Sequence, residues 1–370
     1  MTSPLRIALA AGLAAALCAG FLLPSPGCKL RSAQAAGPSP GHGRGTLPAV
    51  VVRVEYTPSA LELLWGRNLG AWADDLCATL GTPAQAPSVA AVLCLLDSQD
   101  VDARTPAHAA LALRTADAGL LSRLERVYSD GSVERTFMEP LVGMLRDPRV
   151  SCPPDKRHFW GPGGESADQW VIEKKMWLLV SGVPQRIESS LRSAEASRAP
   201  RALLLDIGAS TWTSTNSNGV RWLVDQYASA GVAFEHIYAW EATPMQAADF
   251  FAGAALDDVG RLHFMNWPVS SAPGERANPW SLLRQIAAPG DFVVVKLDID
   301  TPVVETELVG QLLAEADLQS LVDVFYFEHH VQIRDFEWVW KPGSYPEALN
   351  ASYALFGALR RLGIRASPWP

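Results

Sequence analysis

Short apolar runs alternate with amphipathic segments from residue 202 to the end of the chain. The runs contain few polar positions, which is typical of strands covered on both faces of a parallel sheet. The predicted strands are Ala202–Ile207, His236–Trp240, Leu262–Asn266, Phe292–Leu297, Val322–Phe327 and Ile364–Ser367. The predicted helices are Gly219–Ala230, Pro244–Ala254, Pro279–Ala287, Pro302–Ala316 and Pro346–Leu362. This alternation predicts an α/β fold built on a doubly wound, mostly parallel sheet.

The preceding part of the chain, residues 49–195, has helix-like patterning without this alternation. The segments predicted to be helical are Ala60–Trp65, Val89–Leu96, Thr105–Tyr128 and Met138–Leu145. Prolines and glycines between residues 151 and 166 indicate a loop or a lid. We therefore predict a mainly helical accessory region at 49–195, which caps the sheet or shapes the substrate site, followed by the α/β domain at 196–370.

The first 48 residues are predicted to form a leader and a stem. The apolar run Ile7–Leu23 is longer than a signal-peptide core of about 7–15 residues and shorter than the roughly 20 of a spanning helix. Ala33-Gln34-Ala35 is a possible cleavage site, and prolines and glycines between residues 24 and 48 indicate a flexible stem. A cleaved signal, an uncleaved signal-anchor and an organelle transit peptide all fit. We expect a secreted or membrane-anchored protein of the secretory pathway, with an organelle as the alternative.

Charge and cysteine content exclude two classes of function. The 370-residue chain has 39 acidic and 31 basic residues, a formal net charge of -8 and no Lys/Arg-rich run. Because nucleic-acid binding depends on phosphate neutralisation, we expect no nucleic-acid partner. The five cysteines are Cys18, Cys28, Cys77, Cys94 and Cys152. No two have C-x-x-C spacing, so a cysteine zinc site is not expected, although one disulfide among the last three is permitted in an oxidising compartment.

Polar residues follow the first two predicted strands of the α/β domain. Asp206-Ile207-Gly208-Ala209-Ser210 ends the first strand, and Glu241 follows the second. The glycine lets the backbone approach a ligand, and an acid at the second strand's tip can accept hydrogen bonds from ribose hydroxyls. The polar loop Thr211–Asn218 either contacts the ligand or is a solvated surface loop. The position of these residues after buried strands predicts a nucleotide crevice.

Two further clusters of ionisable residues follow the fourth and fifth predicted strands. Lys296-Leu297-Asp298-Ile299-Asp300 places two carboxylates on one face if the strand continues that far. Asp300 can instead cap the helix that begins at Pro302. Phe327-Glu328-His329-His330 offers a carboxylate and two imidazoles for a general base or a metal site. We favour the base, because the histidines lack H-x-x-x-H spacing, and we assign no metal ligands.

These motifs resemble those of class I S-adenosylmethionine-dependent methyltransferases, the FkbM-type group in particular, and those of uncharacterised algal and plant methyltransferase-like proteins. Asp206-Ile207-Gly208 resembles the first motif of that group. Glu241, within Tyr238–Ala242, resembles the ribose-binding acid. Asn266–Ser270 is similar to the segment that borders the adenine.

The later strand ends carry the resemblance further and also depart from it. Val295–Asp300 resembles the group's K-x-D-x-E-G strand end, and Phe327-Glu328-His329 is similar to the next one. Ser210 stands where the first motif usually has a second glycine, and Asp300-Thr301 stands where Glu-Gly is usual. Little chain follows Ile364, so we expect the group's final antiparallel strand to be missing.

The resemblance implies a Rossmann-like methyltransferase fold with S-adenosyl-L-methionine as cofactor. The cofactor-binding residues that it implies are Asp206, Gly208, Ser210, Glu241, Ala242, Asn266 and Val269. Asp206 and Gly208 would border the methionine part, and Glu241 would bind the ribose. Methyl transfer is an in-line displacement at a sulfonium carbon, and a hydroxyl acceptor needs a base. Asp298 or His329 would be that base, and the acceptor would be a small molecule or a glycan.

Two other functions fit the sequence. A signal-anchor, a stem and Asp298-Ile299-Asp300 are typical of type II membrane glycosyltransferases, in which the two acids would hold Mn²⁺ and a sugar diphosphate. This class gives no role to Asp206-Ile207-Gly208 or Glu241, so we favour the methyltransferase. The third possibility is a non-catalytic binding protein on a degenerate methyltransferase fold, because of Ser210. Membrane contact is expected only through an uncleaved N-terminal segment.

Overall fold

The computed structural model describes residues 51–67, 69, 122–138, 140–141, 200–213, 219–229, 231–288, 290–332 and 347–369. The predicted leader and stem, the five cysteines, the helix predicted at Val89–Leu96 and the loop at 151–166 lie outside the described residues. Within these ranges the chain forms a three-stranded sheet and a six-stranded sheet. None of the described helices is both long and apolar enough to cross a bilayer.

The smaller sheet is antiparallel, and a short helix follows its first strand. Its elements are β1 (Val51–Thr57), α1 (Ala60–Gly66), β2 (Ser122–Tyr128) and β3 (Val133–Met138). β2 lies in the centre and pairs with both neighbours. Ser59 caps α1, because its hydroxyl accepts the N–H of Glu62 at 3.0 Å. The start predicted for this helix at Ala60 is confirmed.

The helical prediction for this region is wrong where the structure describes strands. The helix predicted to end at Tyr128 covers β2, in which Ser122, Leu124 and Arg126 are buried and the intervening residues are partly exposed. This is the two-residue period of a half-buried strand. Asp130-Gly131, predicted as a helix stop, forms the hairpin turn between β2 and β3. Met138, the predicted start of another helix, ends β3, and residues 142–145 of that helix lie outside the described chain.

The larger sheet contains six parallel strands. They are β4 (Ala202–Ile207), β5 (His236–Trp240), β6 (Leu262–Met265), β7 (Phe292–Leu297), β8 (Val324–Phe327) and β9 (Arg365–Pro368). Their order across the sheet is β6-β5-β4-β7-β8-β9, and each neighbouring pair is parallel. The chain therefore builds outward from β4 to one edge, returns beside it and builds to the other edge. This is the doubly wound order, so the predicted α/β class and parallel sheet are confirmed.

Helices connect the parallel strands. They are α2 (Val220–Ser229), α3 (Ala247–Phe250), α4 (Leu256–Arg261), α5 (Pro279–Ile286), α6 (Pro302–Ala314), α7 (Ala316–Leu321) and α8 (Leu349–Arg361). The helix predicted from Pro244 to Ala254 is wrong in extent, because only α3 forms there and α4 follows separately. The predicted Pro302–Ala316 helix ends at Ala314, and most of α7 lies in residues 317–321, for which no element was predicted.

Burial along the central strands is nearly complete. Val293, Val294 and Val295 of β7 are 0% exposed, as expected for a strand covered on both faces. Two ionisable residues interrupt this core, Asp206 on β4 and Lys296 on β7, and they are register partners across the sheet. Each is 1% exposed. Since buried charges are normally paired, these two residues place an ion pair inside the core near the carboxyl end of the sheet.

The smaller sheet is joined to the α/β domain by buried polar contacts. Arg360 of α8 is 0% exposed and donates to Tyr56 Oη at 2.9 Å and to the Ala366 carbonyl at 2.8 Å. The same guanidinium lies 3.4 Å from the carboxylate of Glu62 in α1. Arg126 of β2 donates to the Gly363 carbonyl, just before β9. These contacts connect the N-terminal strands to the far edge of the parallel sheet.

Candidate functional site

The site begins at the carboxyl ends of the parallel neighbours β4 and β7. After β4 the chain continues to β5 on one side of the sheet, and after β7 it continues to β8 on the other side. In such folds ligands bind in the crevice at this point. Gly208 follows β4 with a φ of 97°, and a Cβ built on it would lie 1.5 Å from the carbonyl oxygen of Asp298. The N–H of Asp298 donates to Ile207 at 2.9 Å. The space beside Gly208 is therefore taken up by the end of β7, and glycine is required for this close approach.

Lys296 holds the two strand ends together. Its Nζ lies 3.2 Å from Asp206 Oδ1, 2.9 Å from the Gly208 carbonyl and 3.0 Å from Asp298 Oδ2. An ammonium group has three N–H donors, so all three are used. Nζ also lies 5.4 Å from the ring centroid of Trp369. Lys296 is thus the cation that joins the ends of β4 and β7.

Burial and charge act on Asp206 and Lys296 in opposite ways. Burial raises the pKa of Asp206 to about 6, although the neighbouring lysine lowers it. Burial lowers the pKa of Lys296, but the charges of Asp206 and Asp298 outweigh this effect, so its pKa is raised. The lysine therefore stays protonated at neutral pH. Asp206 Oδ2 is buried without a hydrogen-bond partner among the described residues.

Glu241 lies directly after β5 and beside the turn that follows β4. Its Oε2 accepts the N–H of Ser210 at 3.1 Å, and its Oε1 accepts the N–H of Thr243 at 2.6 Å. Ser210 has a φ of 55°, a left-handed conformation that favours glycine. Ser210 therefore has a backbone conformation that a glycine would adopt at lower cost. The two backbone donors hold the Glu241 carboxylate in one orientation at the tip of the strand.

Asn266, after β6, braces the loop behind Glu241. Its amide group donates to the carbonyls of Glu241 and Thr243, both at 2.7 Å, and its Oδ1 accepts the N–H of Met245 at 2.9 Å. These bonds curl residues 241–245 into a turn, which explains why no helix begins at Pro244. Ala242 is exposed in the same turn, so Ser210, Glu241, Ala242 and Asn266 are brought together.

Val269 lies further along the chain from this turn. It is half-buried and packs against the core cluster.

Acidic side chains converge at the ends of β7 and β8. His330 Nε2 lies 3.1 Å from Glu328 Oε2 and 3.7 Å from Asp300 Oδ1. The other oxygen-bearing side chains nearby are Asp298, which hydrogen-bonds Glu328, and Glu305 of α6, whose Oε1 accepts the N–H of Ile299 at 2.9 Å. We call Asp298, Asp300, Glu305, Glu328 and His330 the acidic cluster.

Asp298 and Asp300 do not form the side-by-side pair predicted from strand alternation. β7 ends at Leu297, and Asp300 has a φ of 53°, so the alternation stops before either carboxylate. As a result Asp298 bonds Lys296, whereas Asp300 approaches His330. Thr301 precedes α6, and Asp300 is not its capping residue.

Burial alters the titration of the acidic cluster. It raises the pKa of Glu305 to about 7, partly offset by the N–H of Ile299. Burial and then the Asp298 charge raise the pKa of Glu328 to about 7. Burial lowers the pKa of His330, but the hydrogen bond and charge of Glu328 outweigh it, so the net direction is upward. Glu305 and Glu328 therefore have pKa values near neutral pH.

His329 has different surroundings from its neighbour. Its Nε2 lies 3.2 Å from Glu347 Oε2, and its ring stacks on Phe327 with centroids 5.0 Å apart. Burial lowers the pKa of His329, although Glu347 raises it in part. Its Nδ1 is buried with no hydrogen-bond partner among the described residues. Of the two predicted bases, His329 is thus paired with Glu347, and Asp298 is joined to Lys296 and Glu328.

Comparisons of this chain with known protein families, with characterised proteins and with solved structures find no match. The site must therefore be interpreted from its own geometry. Neither Lys296 nor Glu305 had a predicted role in the site. The signal for Lys296 was present, since a lysine within an apolar strand requires a buried partner. Glu305 offered no such signal, because a glutamate in the first turn of a helix is ordinarily a favourable surface residue.

Proposed function

We propose that the protein is a methyltransferase that uses S-adenosyl-L-methionine and methylates a hydroxyl group of a small molecule or a glycan. The observation that carries this proposal is the fixed Glu241 carboxylate, held at the tip of β5 by the N–H groups of Ser210 and Thr243. An acid at this point of a doubly wound sheet is placed to bind the ribose of a nucleoside.

The hydrogen-bonding capacity of Glu241 fits this role. A carboxylate has about four lone-pair sites on its two oxygens. One backbone N–H occupies each oxygen, which leaves one site per oxygen for the two hydroxyls of a ribose. Asn266 would act as a positioning residue, because both of its amide hydrogens are used by the backbone of the loop that carries Glu241. Ala242 and Val269 would border the nucleoside through packing.

The charge of the crevice also supports a cationic cofactor. Carboxylates crowd the ends of β4, β7 and β8, and the three N–H groups of Lys296 are already used by Asp206, Gly208 and Asp298. A sulfonium cofactor brings a positive charge to this edge, whereas an uncomplexed sugar diphosphate brings negative charge. With Asp206 buried, its role would be to hold Lys296 and the turn at Gly208.

The base for a hydroxyl acceptor would be Asp298. It follows the strand beside the crevice and hydrogen-bonds Glu328, whose pKa of about 7 allows that carboxyl to share a transferred proton. His329 is the weaker of the two predicted bases, because its Nε2 is paired with Glu347 and its ring stacks on Phe327. Location in the secretory pathway, with or without a membrane anchor, stays a prediction.

A metal-dependent glycosyltransferase is the second candidate. The observation that favours it is the set of ligand atoms on Asp300, Glu328 and His330, which lie within 4.8 Å of one another. Asp298, the first acid of the predicted ion-binding pair, contacts Lys296 instead. This candidate still gives no role to Glu241. A non-catalytic binding protein on the same fold is the third candidate, and the presence or absence of turnover would separate it from the first.

Calorimetric titration of the full chain tests the choice. S-adenosylhomocysteine should bind in the presence of EDTA, and Glu241→Ala should weaken this binding by about 1–3 kcal/mol through a lost charged hydrogen bond. Glu235→Ala is the matched control, since Glu235 is exposed just before the same strand. Binding of Mn²⁺ with UDP but not of S-adenosylhomocysteine would reject the methyltransferase in favour of the second candidate.

A further inference from the structure

The ends of β7 and β8 bring together one imidazole and two carboxylates from two different connections. Asp300 lies between β7 and α6, and Glu328 and His330 follow β8. The three ligand atoms lie within 4.8 Å of one another, and His330 Nε2 is 3.1 Å from Glu328 and 3.7 Å from Asp300. Asp300 is far from Glu328 and His330 in the sequence, so the parallel sheet is what brings the three side chains together.

The spacing of these atoms is that of ligands around one small cation. Metal–ligand bonds of about 2.0–2.2 Å to imidazole nitrogen and carboxylate oxygen put neighbouring ligand atoms about 3–3.6 Å apart. The 3.1 Å distance from His330 Nε2 to Glu328 lies within this range, and the 3.7 Å distance to Asp300 lies just above it. The ring of His330 is buried, with 3% of its side chain exposed, whereas 80% of the Asp300 side chain is exposed. The set therefore has a rigid inner ligand and an outer ligand that an ion in solution can reach.

The local charge supports a bound cation independently of these distances. Glu328 is also within hydrogen-bonding distance of Asp298, and Glu305 lies close enough for its charge to act on the same group. Lys296 lies near the end of β7, and its three N–H groups already contact Asp206, Gly208 and Asp298. A divalent ion would add positive charge beside these carboxylates.

We propose that Asp300, Glu328 and His330 bind one divalent transition-metal ion of the Mn²⁺ or Zn²⁺ class. An imidazole beside two carboxylates favours these ions over Mg²⁺ and Ca²⁺, which prefer oxygen ligands. The three protein ligands leave positions for water or for an oxygen of a bound molecule. The inference does not depend on the proposed methyltransferase activity, because ion binding requires no nucleoside.

Titration of the metal-free full chain with MnCl₂, followed by calorimetry and by the electron paramagnetic resonance signal of free Mn²⁺, tests the proposal without any nucleoside. We expect one saturable site per chain. Asp300→Asn removes an exposed ligand with little risk to folding and should weaken binding by about tenfold or more. Asp257→Asn is the matched control, because Asp257 is exposed at the start of α4, outside the acidic cluster. It should bind Mn²⁺ as the unaltered chain does.

Pulsed electron paramagnetic resonance of the Mn²⁺-loaded chain supplies a second readout. A nitrogen hyperfine coupling is expected and should disappear in His330→Gln. If that variant does not fold, the coupling in the unaltered chain and the Asp300→Asn affinity still decide the question. The proposal is overturned if neither Mn²⁺ nor Zn²⁺ binds with a dissociation constant below about 1 mM, if Asp300→Asn binds as tightly as the unaltered chain, or if no nitrogen coupling appears.

Discussion

The Gly208 backbone lies so close to Asp298 that a Cβ on the glycine would be 1.5 Å from the aspartate's carbonyl oxygen. The two residues follow neighbouring parallel strands, β4 and β7, and Lys296 donates to the carbonyl of the first and the carboxylate of the second. The turn at the predicted nucleotide crevice is therefore defined by contacts within the chain itself. A ligand would bind against a surface that is already formed.

Gly208→Ala should consequently abolish or severely reduce folding. The new methyl group overlaps backbone atoms that cannot move without separating β4 from β7, and the φ of 97° adds further cost. We expect a loss of more than about 3 kcal/mol of unfolding free energy, measured by urea denaturation. Gly231→Ala is the matched control, because its φ is 85° but no atom lies within 4 Å of the added Cβ. It should cost about 1 kcal/mol. Equal losses for both would contradict the steric explanation.

Lys296→Met should destabilise the protein through the charge that it leaves behind. Asp206 is 1% exposed and depends on this lysine for its paired charge. Removing one partner of a buried ion pair typically costs about 3–5 kcal/mol. The double variant Asp206→Asn/Lys296→Met removes both charges and should be more stable than Lys296→Met alone, by urea denaturation at pH 7. A double variant less stable than the single one would show that the lysine acts chiefly through its other contacts.

The sequence predicts the strands of the parallel sheet well, for a physical reason. Val293–Val295 and Leu203–Leu205 are continuous apolar runs that only a doubly covered strand can bury. β2 was missed because its two-residue period is short and continues a segment with helix-like spacing. The helix predicted at Pro244 fails because Glu241 and Asn266, which are distant from each other in the sequence, accept backbone N–H groups of that segment and fold it into a turn.

The candidate site was likewise predictable from the sequence only in part. The placement of Glu241 beside the turn at Gly208 follows from strand order, and the structure has the predicted proximity. The predicted pairing of Asp298 with Asp300 is absent, because it required β7 to continue beyond Leu297. Glu305 joins the acidic cluster through the packing of α6 against the sheet. Such contacts depend on tertiary geometry that periodicity in the sequence does not carry.

Glu305→Gln should change how stability depends on pH. In the folded chain the pKa of Glu305 is raised from 4.5 to about 7, so between these values the folded state holds a proton that the unfolded state has lost. The group's contribution to stability therefore falls as pH rises through this window. Gln keeps an acceptor for the N–H of Ile299 and does not ionise. Relative to the unaltered chain, the variant should gain about 1–3 kcal/mol between pH 5 and pH 8.

Urea denaturation of both proteins at several pH values measures this difference. Asp257→Asn serves as the control, because this carboxyl is exposed at the start of α4 and lies outside the acidic cluster. Stability curves of Glu305→Gln and the unaltered chain that run parallel from pH 5 to pH 8 would contradict the assignment of a raised pKa to this carboxyl.

Arg360 and Glu62 should be energetically coupled across the junction of the two sheets. Their side chains are 0% and 10% exposed, and Arg360 Nη1 lies 3.4 Å from Glu62 Oε2. The same carboxylate accepts hydrogen bonds from Tyr56 and Ser122, both at 2.7 Å, so it links β1 and β2 to α8. A double-mutant cycle with Arg360→Met and Glu62→Gln should give a coupling of about 1–3 kcal/mol in urea denaturation.

The exposed pair Arg221–Asp225 provides the matched control for this coupling. Arg221 Nε lies 3.3 Å from Asp225 Oδ2, but the two side chains are 55% and 59% exposed, so solvent screens their attraction. The corresponding cycle should give at most about 0.5 kcal/mol. A coupling between Arg360 and Glu62 that is no larger than the control would mean that the N-terminal strands contribute little to the stability of the parallel sheet. The larger coupling would instead make β1, α1 and β2 part of one cooperative unit with α8 and β9, because each would lose stability when the buried ion pair between them is removed.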